Sequence, residues 1–166
     1  ECGSDEVLPR IRHALNDESP AVRFAAAMAL GQREDRVAVG TIRKLLKSAE
    51  SSDQIAAAGA LHLLGDFGSS GKLAEYLFDR SDKAARRHAA FVFGRLGEPG
   101  ANKILAKAMS SKDPGLRANV LESMAILGSK EARSTLVANV YNGLGSEETF
   151  ALTVLGRLRD SQYREI

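Results

Sequence analysis

Apolar residues recur along this 166-residue chain at the three- and four-residue spacing of amphipathic α-helices. One run of this kind comprises Leu116, Val120, Leu121, Met124 and Leu127. Similar runs predict helices over about 5–15, 38–48, 70–79, 99–110 and 130–142. A core of Ala, Leu, Val and Ile suits closely packed helices better than a β-sandwich, and β-branched runs are few, so the sequence predicts an all-α fold without a sheet.

The ends of several predicted helices carry their own signals. The pairs Ser19–Pro20 and Asp113–Pro114 place a capping residue before a proline at the first helical position. Glycine follows the last apolar residue at Gly65, Gly97 and Gly128, where we expect left-handed residues that end the helix. These signals divide the chain into short helices of similar length.

The same arrangement of residues repeats about every 31 positions. Its anchor is the polar residue that follows each helix start, at Arg23, Gln54, Arg86 and Arg117, with spacings of 31, 32 and 31 residues. A period of this length indicates stacked supersecondary units, here hairpins of two helices. The predicted hairpins span about 17–49, 50–79, 80–110 and 111–143, with partial copies over 5–15 and 144–166.

The partial copies lead to an expectation about the ends. In the last copy the apolar residues Ala151, Leu152, Val154 and Leu155 have no predicted second helix to cover them. Repeat proteins usually close with a polar capping unit. We therefore expect either that the chain is part of a longer array or that two chains associate end to end.

The segment Asp17–Gly31 carries Pro20, Val22, Arg23 and Ala26 at the positions that are typical of a HEAT repeat. The chain as a whole resembles the HEAT family, and its short period is most similar to the HEAT-like class associated with phycobilin lyases. This resemblance implies an α/α superhelical solenoid of four to five hairpins.

In one respect the chain departs from the family. HEAT repeats often align an Asp and an Arg of each loop into a continuous ladder. Here Gln54 interrupts the series of arginines and Asp17 has no aligned equivalents, so we expect no continuous ladder.

Composition and charge narrow the choice of function only slightly. The chain is 44% hydrophobic but only 5% aromatic and has no Trp, so its core must consist of small aliphatic side chains. A net charge of +2 does not by itself indicate nucleic acid. The single cysteine, Cys2, rules out a disulfide within the chain. No apolar stretch approaches the ~20 residues of a membrane span and no signal peptide is visible, which favours the cytoplasm.

No pattern of residues in the sequence indicates catalytic chemistry. The histidines His13, His62 and His88 form no paired metal-binding motif, and His88 is expected at the surface beside two arginines. Di-iron hydroxylases of the HEAT-like class use paired His–Glu motifs, and HEAT-like DNA glycosylases use tryptophan, neither of which occurs here. We therefore predict no catalytic residue, no cofactor and no metal site.

The remaining candidate is a surface. The resemblance implies that the second helices line a concave face, on which cations outnumber anions. Its candidate partner-binding residues are Arg43, Lys44, Lys47, Lys72, Tyr76, Lys103, Lys107, Arg133 and Tyr141. The sequence thus favours a non-enzymatic interaction or scaffolding module for a protein with an acidic surface. A nucleic-acid-binding module and an accessory lyase or other enzyme of the HEAT-like class are the alternatives.

Overall fold

The computed structural model describes residues 4–79 and 81–158, and in these ranges it contains ten α-helices and no strand. The helices are α1 Ser4–His13, α2 Pro20–Gln32, α3 Val39–Leu45, α4 Ser51–Leu63, α5 Gly71–Phe78, α6 Lys83–Arg95, α7 Ala101–Ala108, α8 Pro114–Ile126, α9 Lys130–Asn142 and α10 Ser146–Leu158. The fold class predicted from the sequence, an all-α solenoid of helical hairpins, is confirmed.

Helices α3, α5 and α7 are shorter than the periodicity predicts, because they begin or end in a tighter turn. A turn of 3₁₀-helix over Arg36–Ala38 precedes α3, and another over Phe67–Ser69 precedes α5. An aspartate side chain caps the N-terminus of each turn. Asp35 and Asp66 each accept a hydrogen bond from the backbone N–H two residues further on. Helix α9 has the predicted bounds, Lys130–Asn142.

The expected left-handed residues follow the first helices of three repeats. Gly65, Gly97 and Gly128 have φ values of 88°, 73° and 84°. In the first repeat the equivalent position is Glu34, with φ 56°. A non-glycine residue in this conformation costs about 1 kcal/mol. The geometry of the turn is therefore imposed by the packing of the hairpin and not by glycine alone.

The chain divides into two compact units, residues 1–92 and 93–166. In the first unit the core contains Leu15, Ala26, Ala27, Leu30, Ala38, Ile42, Ala56, Ala57, Ala60 and Leu61. Helices α2 and α4 pack closely, and a Cβ added to Gly31 would lie 2.8 Å from the Ala60 Cα. The alanines and this glycine allow the two backbones to approach each other.

In the second unit α10 packs on α8 and α9 and completes a separate core. Ala151, Val154 and Leu155 are buried in it, beside Leu121 and Leu136. The expectation that these apolar residues of α10 lack a cover is therefore wrong, because α8 and α9 together cover them. Of the four residues, Leu152 alone is exposed, at 43%.

Candidate functional site

The anchor residue of each repeat donates a hydrogen bond to a backbone carbonyl in the segment that leads into its own helix. Arg23 Nη1 donates hydrogen bonds to the carbonyl oxygens of Asp17 and Glu18, at 2.7 and 2.9 Å. Gln54 Nε2 donates to the Ser48 carbonyl at 2.7 Å. Gln54 thus removes the positive charge at this position but keeps the hydrogen bond to the loop.

The same contact recurs later in the chain, within each unit. Arg86 Nε donates to the Leu77 carbonyl at 3.0 Å, and Arg117 Nη1 donates to the Ser111 carbonyl at 2.9 Å. Three anchor side chains thus bind a loop, and Arg86 binds the last turn of α5.

A buried ion pair connects the first two repeats. Arg23 Nη2 lies 2.8 Å from Asp53 Oδ2, and the Asp53 side chain is only 2% exposed. Ser48 Oγ donates to the same carboxylate oxygen at 2.7 Å. The sequence pattern does not reveal this pair, because the family's ladder places the aspartate at the position of Asp17, whereas the partner precedes Gln54 in the next repeat.

A second type of ion pair joins a second helix to the turn of the following hairpin. Arg12 Nε lies 2.6 Å from Asp35 Oδ2, and Arg43 Nη2 lies 2.8 Å from Asp66 Oδ2. The hydrogen bond from Arg12 holds the pKa of the Asp35 carboxyl below its ordinary value, although burial acts in the opposite direction. Arg43 and the Gly68 N–H likewise lower the pKa of Asp66.

The candidate residues of the first unit differ in what they have available for a partner. Lys44, Lys47 and Lys72 are exposed and, within the described part of the chain, take part in no ion pair. Arg43 is exposed but pairs with Asp66. Tyr76 is half-buried, and its hydroxyl donates to Gln54 Oε1 at 2.7 Å.

The interaction of Tyr76 with Gln54 has an electrostatic consequence. Burial is the largest cause that raises the pKa of the Tyr76 phenol, followed by the carboxylates of Asp82, Glu75 and Asp79. The phenol therefore stays protonated and donates its hydrogen bond. A partner could contact the ring or donate a hydrogen bond to the phenol oxygen, but it would have to replace Gln54 to accept the hydroxyl hydrogen.

In the second unit the candidates are again of two kinds. Lys103 and Lys107 are exposed, lie four residues apart on α7 and so project from one side of that helix. Tyr141 is 70% exposed. Arg133 is half-buried, and its Nε donates to the Ala125 carbonyl at 3.3 Å. Each unit thus presents exposed lysines, and it also contains candidate side chains that already make a hydrogen bond or an ion pair within that unit. The assignment of all nine residues to a binding surface stays a prediction.

Two of the three histidines, His62 and His88, occupy structural positions, whereas His13 is exposed. His62 Nδ1 lies 2.6 Å from Ser70 Oγ, and its ring meets Phe67 edge-on. His88 is half-buried with its ring centroid 4.8 Å from that of Phe24, so the expectation of a surface position is wrong. His88 lies on the face of α6 that contacts Phe24 of α2, although the two residues before it are arginines.

Two kinds of feature are missing from the part of the chain that the structure describes. No group of three or more His, Cys, Asp or Glu residues there is arranged to hold a metal ion. No helix in these ranges is long and apolar enough to cross a bilayer. Cys2 lies outside the described residues.

Comparison with known proteins identifies the repeat. The sequence profile described as HEAT repeats matches residues 1–69 and 70–147. Among solved structures, the complex of CpcE and CpcF of phycocyanin lyase from Nostoc sp. PCC7120 is similar, with a TM-score of 0.52 over 96% of this chain and 67% of that chain. The sequence identity is 19%, so this likeness concerns the fold alone. No curated protein sequence matches the chain.

Proposed function

Because this chain belongs to the HEAT-repeat family, we propose that it is a non-enzymatic interaction or scaffolding module. It binds a protein with an acidic surface through the lysine-bearing faces of its second helices. The observation that carries the proposal is the contrast between exposed lysines that have no ion pair among the described residues and arginines that are already engaged. Complementary charge of this kind speeds association and selects partners more than it adds affinity.

The spacing of the exposed lysines favours an interaction with negatively charged groups. Lys44 and Lys47 lie three residues apart, in and just after the last turn of α3, and Lys103 and Lys107 lie four apart on α7. At these spacings the side chains project from the same side of a helix. Like charges so close together repel each other, and a partner's carboxylates would relieve that repulsion.

Tyr141 supplies an apolar contact in the second unit. At 70% exposure its ring and hydroxyl are both accessible, and tyrosine is enriched among the residues that dominate binding energies. Tyr76 is a weaker candidate, since its hydroxyl is bound to Gln54. We therefore assign the aromatic contact to Tyr141 in preference to Tyr76.

Charge reversal tests the proposal. The test variant carries Lys44→Glu, Lys47→Glu, Lys103→Glu and Lys107→Glu, and a protein partner is captured with the native chain and then purified. We expect the four substitutions to weaken its binding at least about tenfold at moderate salt, measured by calorimetry.

A matched control variant keeps these four lysines. It changes four other exposed cations to Glu, namely Arg33, Arg36, Lys83 and Lys112. These positions lie outside α3 and α7, on turns and on a first helix, and the net charge changes by the same amount as in the test variant. If only the test variant loses binding, the loss therefore depends on where the charges lie and not on how many were changed. Equal affinities of the two variants would contradict the proposal.

The same variants separate the nucleic-acid alternative. The native chain is titrated with duplex DNA and with single-stranded RNA over a series of salt concentrations. Binding to phosphates weakens steeply with salt, with a slope that follows the number of contacts. A steep slope together with loss of binding in the test variant would favour nucleic acid over a protein partner.

The accessory-lyase alternative rests on the likeness in fold to the CpcE and CpcF complex. Fold similarity alone does not carry an activity between proteins. Absorbance spectra and metal analysis of the purified chain test it, together with spectra recorded after a bilin is added. A bilin-dependent change in absorbance would favour the lyase alternative over the proposed interaction module.

A further inference from the structure

The connection between α9 and α10 differs from the connections between earlier repeats. It consists of the sequence Gly-Leu-Gly over residues 143–145, so none of its side chains can make a hydrogen bond. In three earlier connections, the residue three positions before the next helix accepts a hydrogen bond through its side chain. The donors are the backbone N–H groups just before the helix, in the pairs Ser19 to Asp17, Glu50 to Ser48 and Asp113 to Ser111. The last connection therefore lacks a hydrogen bond that these three share.

Glycine is required at the start of this connection. A Cβ added to Gly143 would collide with the carbonyl oxygen of Asn139 and would lie 3.2 Å from the backbone nitrogen of Glu148. These contacts leave no room for the serine or aspartate that occupies the same position in the three earlier connections. The close approach of α9 and α10 thus places a glycine directly after the last residue of α9.

That last residue is Asn142, and its side chain is exposed. The residues four positions before the earlier first helices are exposed too, namely Asn16, Lys47, Asp79 and Ser110. Exposure at this place is therefore a property of the repeat. Water reaches the side-chain amide of Asn142, and the next backbone nitrogen belongs to a residue without a side chain to hinder its approach.

We propose that Asn142 is a site of spontaneous deamidation, which proceeds through a cyclic imide with Gly143. The backbone nitrogen of Gly143 loses its proton to solvent and bonds to the side-chain carbonyl carbon of Asn142. The bond from that carbon to the amide nitrogen breaks, and the nitrogen takes up a proton and leaves as ammonia. Water then opens the imide at either carbonyl. The products are aspartate and isoaspartate, in which the main chain continues through the side-chain carbonyl.

One hydrogen bond opposes this reaction. The Gly143 N–H donates to the Asn139 carbonyl at 3.0 Å, and this bond must open before the nitrogen can attack. It is the last hydrogen bond of α9, and helix ends open more readily than helix centres. Asn119 and Asn139 lie inside helices and each precedes a valine, whose branched side chain hinders the attack. The reaction is therefore slow at those two positions.

Both products disturb the junction of α9 and α10. Each adds a negative charge at the C-terminus of α9, where the helix dipole disfavours anions. Isoaspartate also lengthens the main chain next to Gly143, where the contacts with Asn139 and Glu148 leave no room. Because α10 packs on α9 directly after this junction, we expect deamidation to loosen the core around Leu155.

Peptide mapping by mass spectrometry tests the reaction in the full chain. The folded protein is kept in mildly alkaline water enriched in heavy oxygen and is then digested in ordinary water, so that only conversion before digestion carries the label. We expect labelled product at Asn142 to form at least about tenfold faster than at Asn16, which is equally exposed but precedes Asp17. Equal rates at the two positions, or no labelled product at Asn142, would overturn the proposal. So would labelled aspartate without isoaspartate, because direct hydrolysis forms no imide.

A matched variant tests the effect on packing. Asn142→Gln keeps the exposed amide but would have to form a larger ring, so its conversion should be far slower. The native chain and this variant are aged together, and the urea midpoint of each is measured before and after. We expect the midpoint of the native chain alone to fall, in proportion to the fraction converted. An equal fall in both proteins, or no fall in the converted native chain, would overturn the inference that deamidation loosens the core.

Discussion

Two ion pairs of the first unit occupy the same place in successive repeats but lie in different surroundings. Arg12–Asp35 and Arg43–Asp66 each span 23 residues, and the second pair lies 31 residues after the first. In the first pair the Asp35 side chain is only 3% exposed and Arg12 is 33% exposed. In the second pair the corresponding values are 38% and 58%.

The difference predicts that the two copies of this contact contribute unequally to stability. A buried carboxylate that loses its partner leaves an uncompensated charge, so the first pair is needed for the structure. Exposed ion pairs contribute little to stability, because water solvates both charges well. Under the proposed function, Arg43 would therefore exchange Asp66 for a partner's carboxylate at little cost in stability.

The largest effect is expected at the most deeply buried pair. Asp53→Ala removes the partner of Arg23 and the acceptor of Ser48 Oγ. We expect the free energy of unfolding to fall by about 3 kcal/mol. Urea denaturation measures it, with the exposed Glu18→Ala as control. A loss no greater than that of the control would show that burial does not determine the importance of these pairs.

A direct test compares the two aspartates of the repeated contact. Asp35→Ala should lower the free energy of unfolding by about 2 kcal/mol, since Arg12 and the Val37 N–H both lose their acceptor. Asp66→Ala should change the urea midpoint only slightly. Equal losses in the two variants would contradict the distinction between a structural and a surface pair.

Acid should remove part of the difference at Asp35. The pKa of this carboxyl is lower in the folded chain than in the unfolded chain, where it is about 3.9. Its stabilising contribution is therefore complete above that value and is lost as the pH falls through the folded pKa. The gap between the native chain and Asp35→Ala should narrow in this acidic range, provided that both remain folded.

The sequence predicted the helices and turns of this structure better than the contacts between its side chains. Helical periodicity predicted the all-α fold, and glycine marked three left-handed turns, whereas the left-handed Glu34 was missed because its side chain gives no such signal. The pairing of Arg23 with Asp53 depends on how adjacent helices stack, which a single repeat does not reveal. For the same reason the sequence could not show that Gln54 accepts the hydrogen bond of the Tyr76 hydroxyl.

A smaller effect is expected at a buried group that has no ion-pair partner. Nδ1 of His88 is buried without a hydrogen-bond partner among the described residues, and burial lowers the pKa of the ring, although Asp82 opposes the shift. The unfolded chain therefore takes up a proton first, below pH about 6.5, and the native chain loses stability as the pH falls. The urea midpoint should decrease from pH about 7.5 to about 5.5, and His88→Leu should reduce this decrease. The exposed His13→Leu serves as control, and an equal reduction by that variant would exclude His88 as the source.

The smallest effect on stability is expected for Arg43→Ala, and this variant separates folding from binding. Arg43 is exposed and its partner Asp66 is also hydrated, so the urea midpoint should stay almost unchanged. Binding of an acidic partner should nevertheless weaken, because one cation of the predicted surface is lost beside Lys44 and Lys47. Calorimetric titration of the purified partner measures this change, with Arg36→Ala as control. Unchanged affinity would remove Arg43 from the binding surface, whereas a large drop in stability would mean that both repeated pairs are structural.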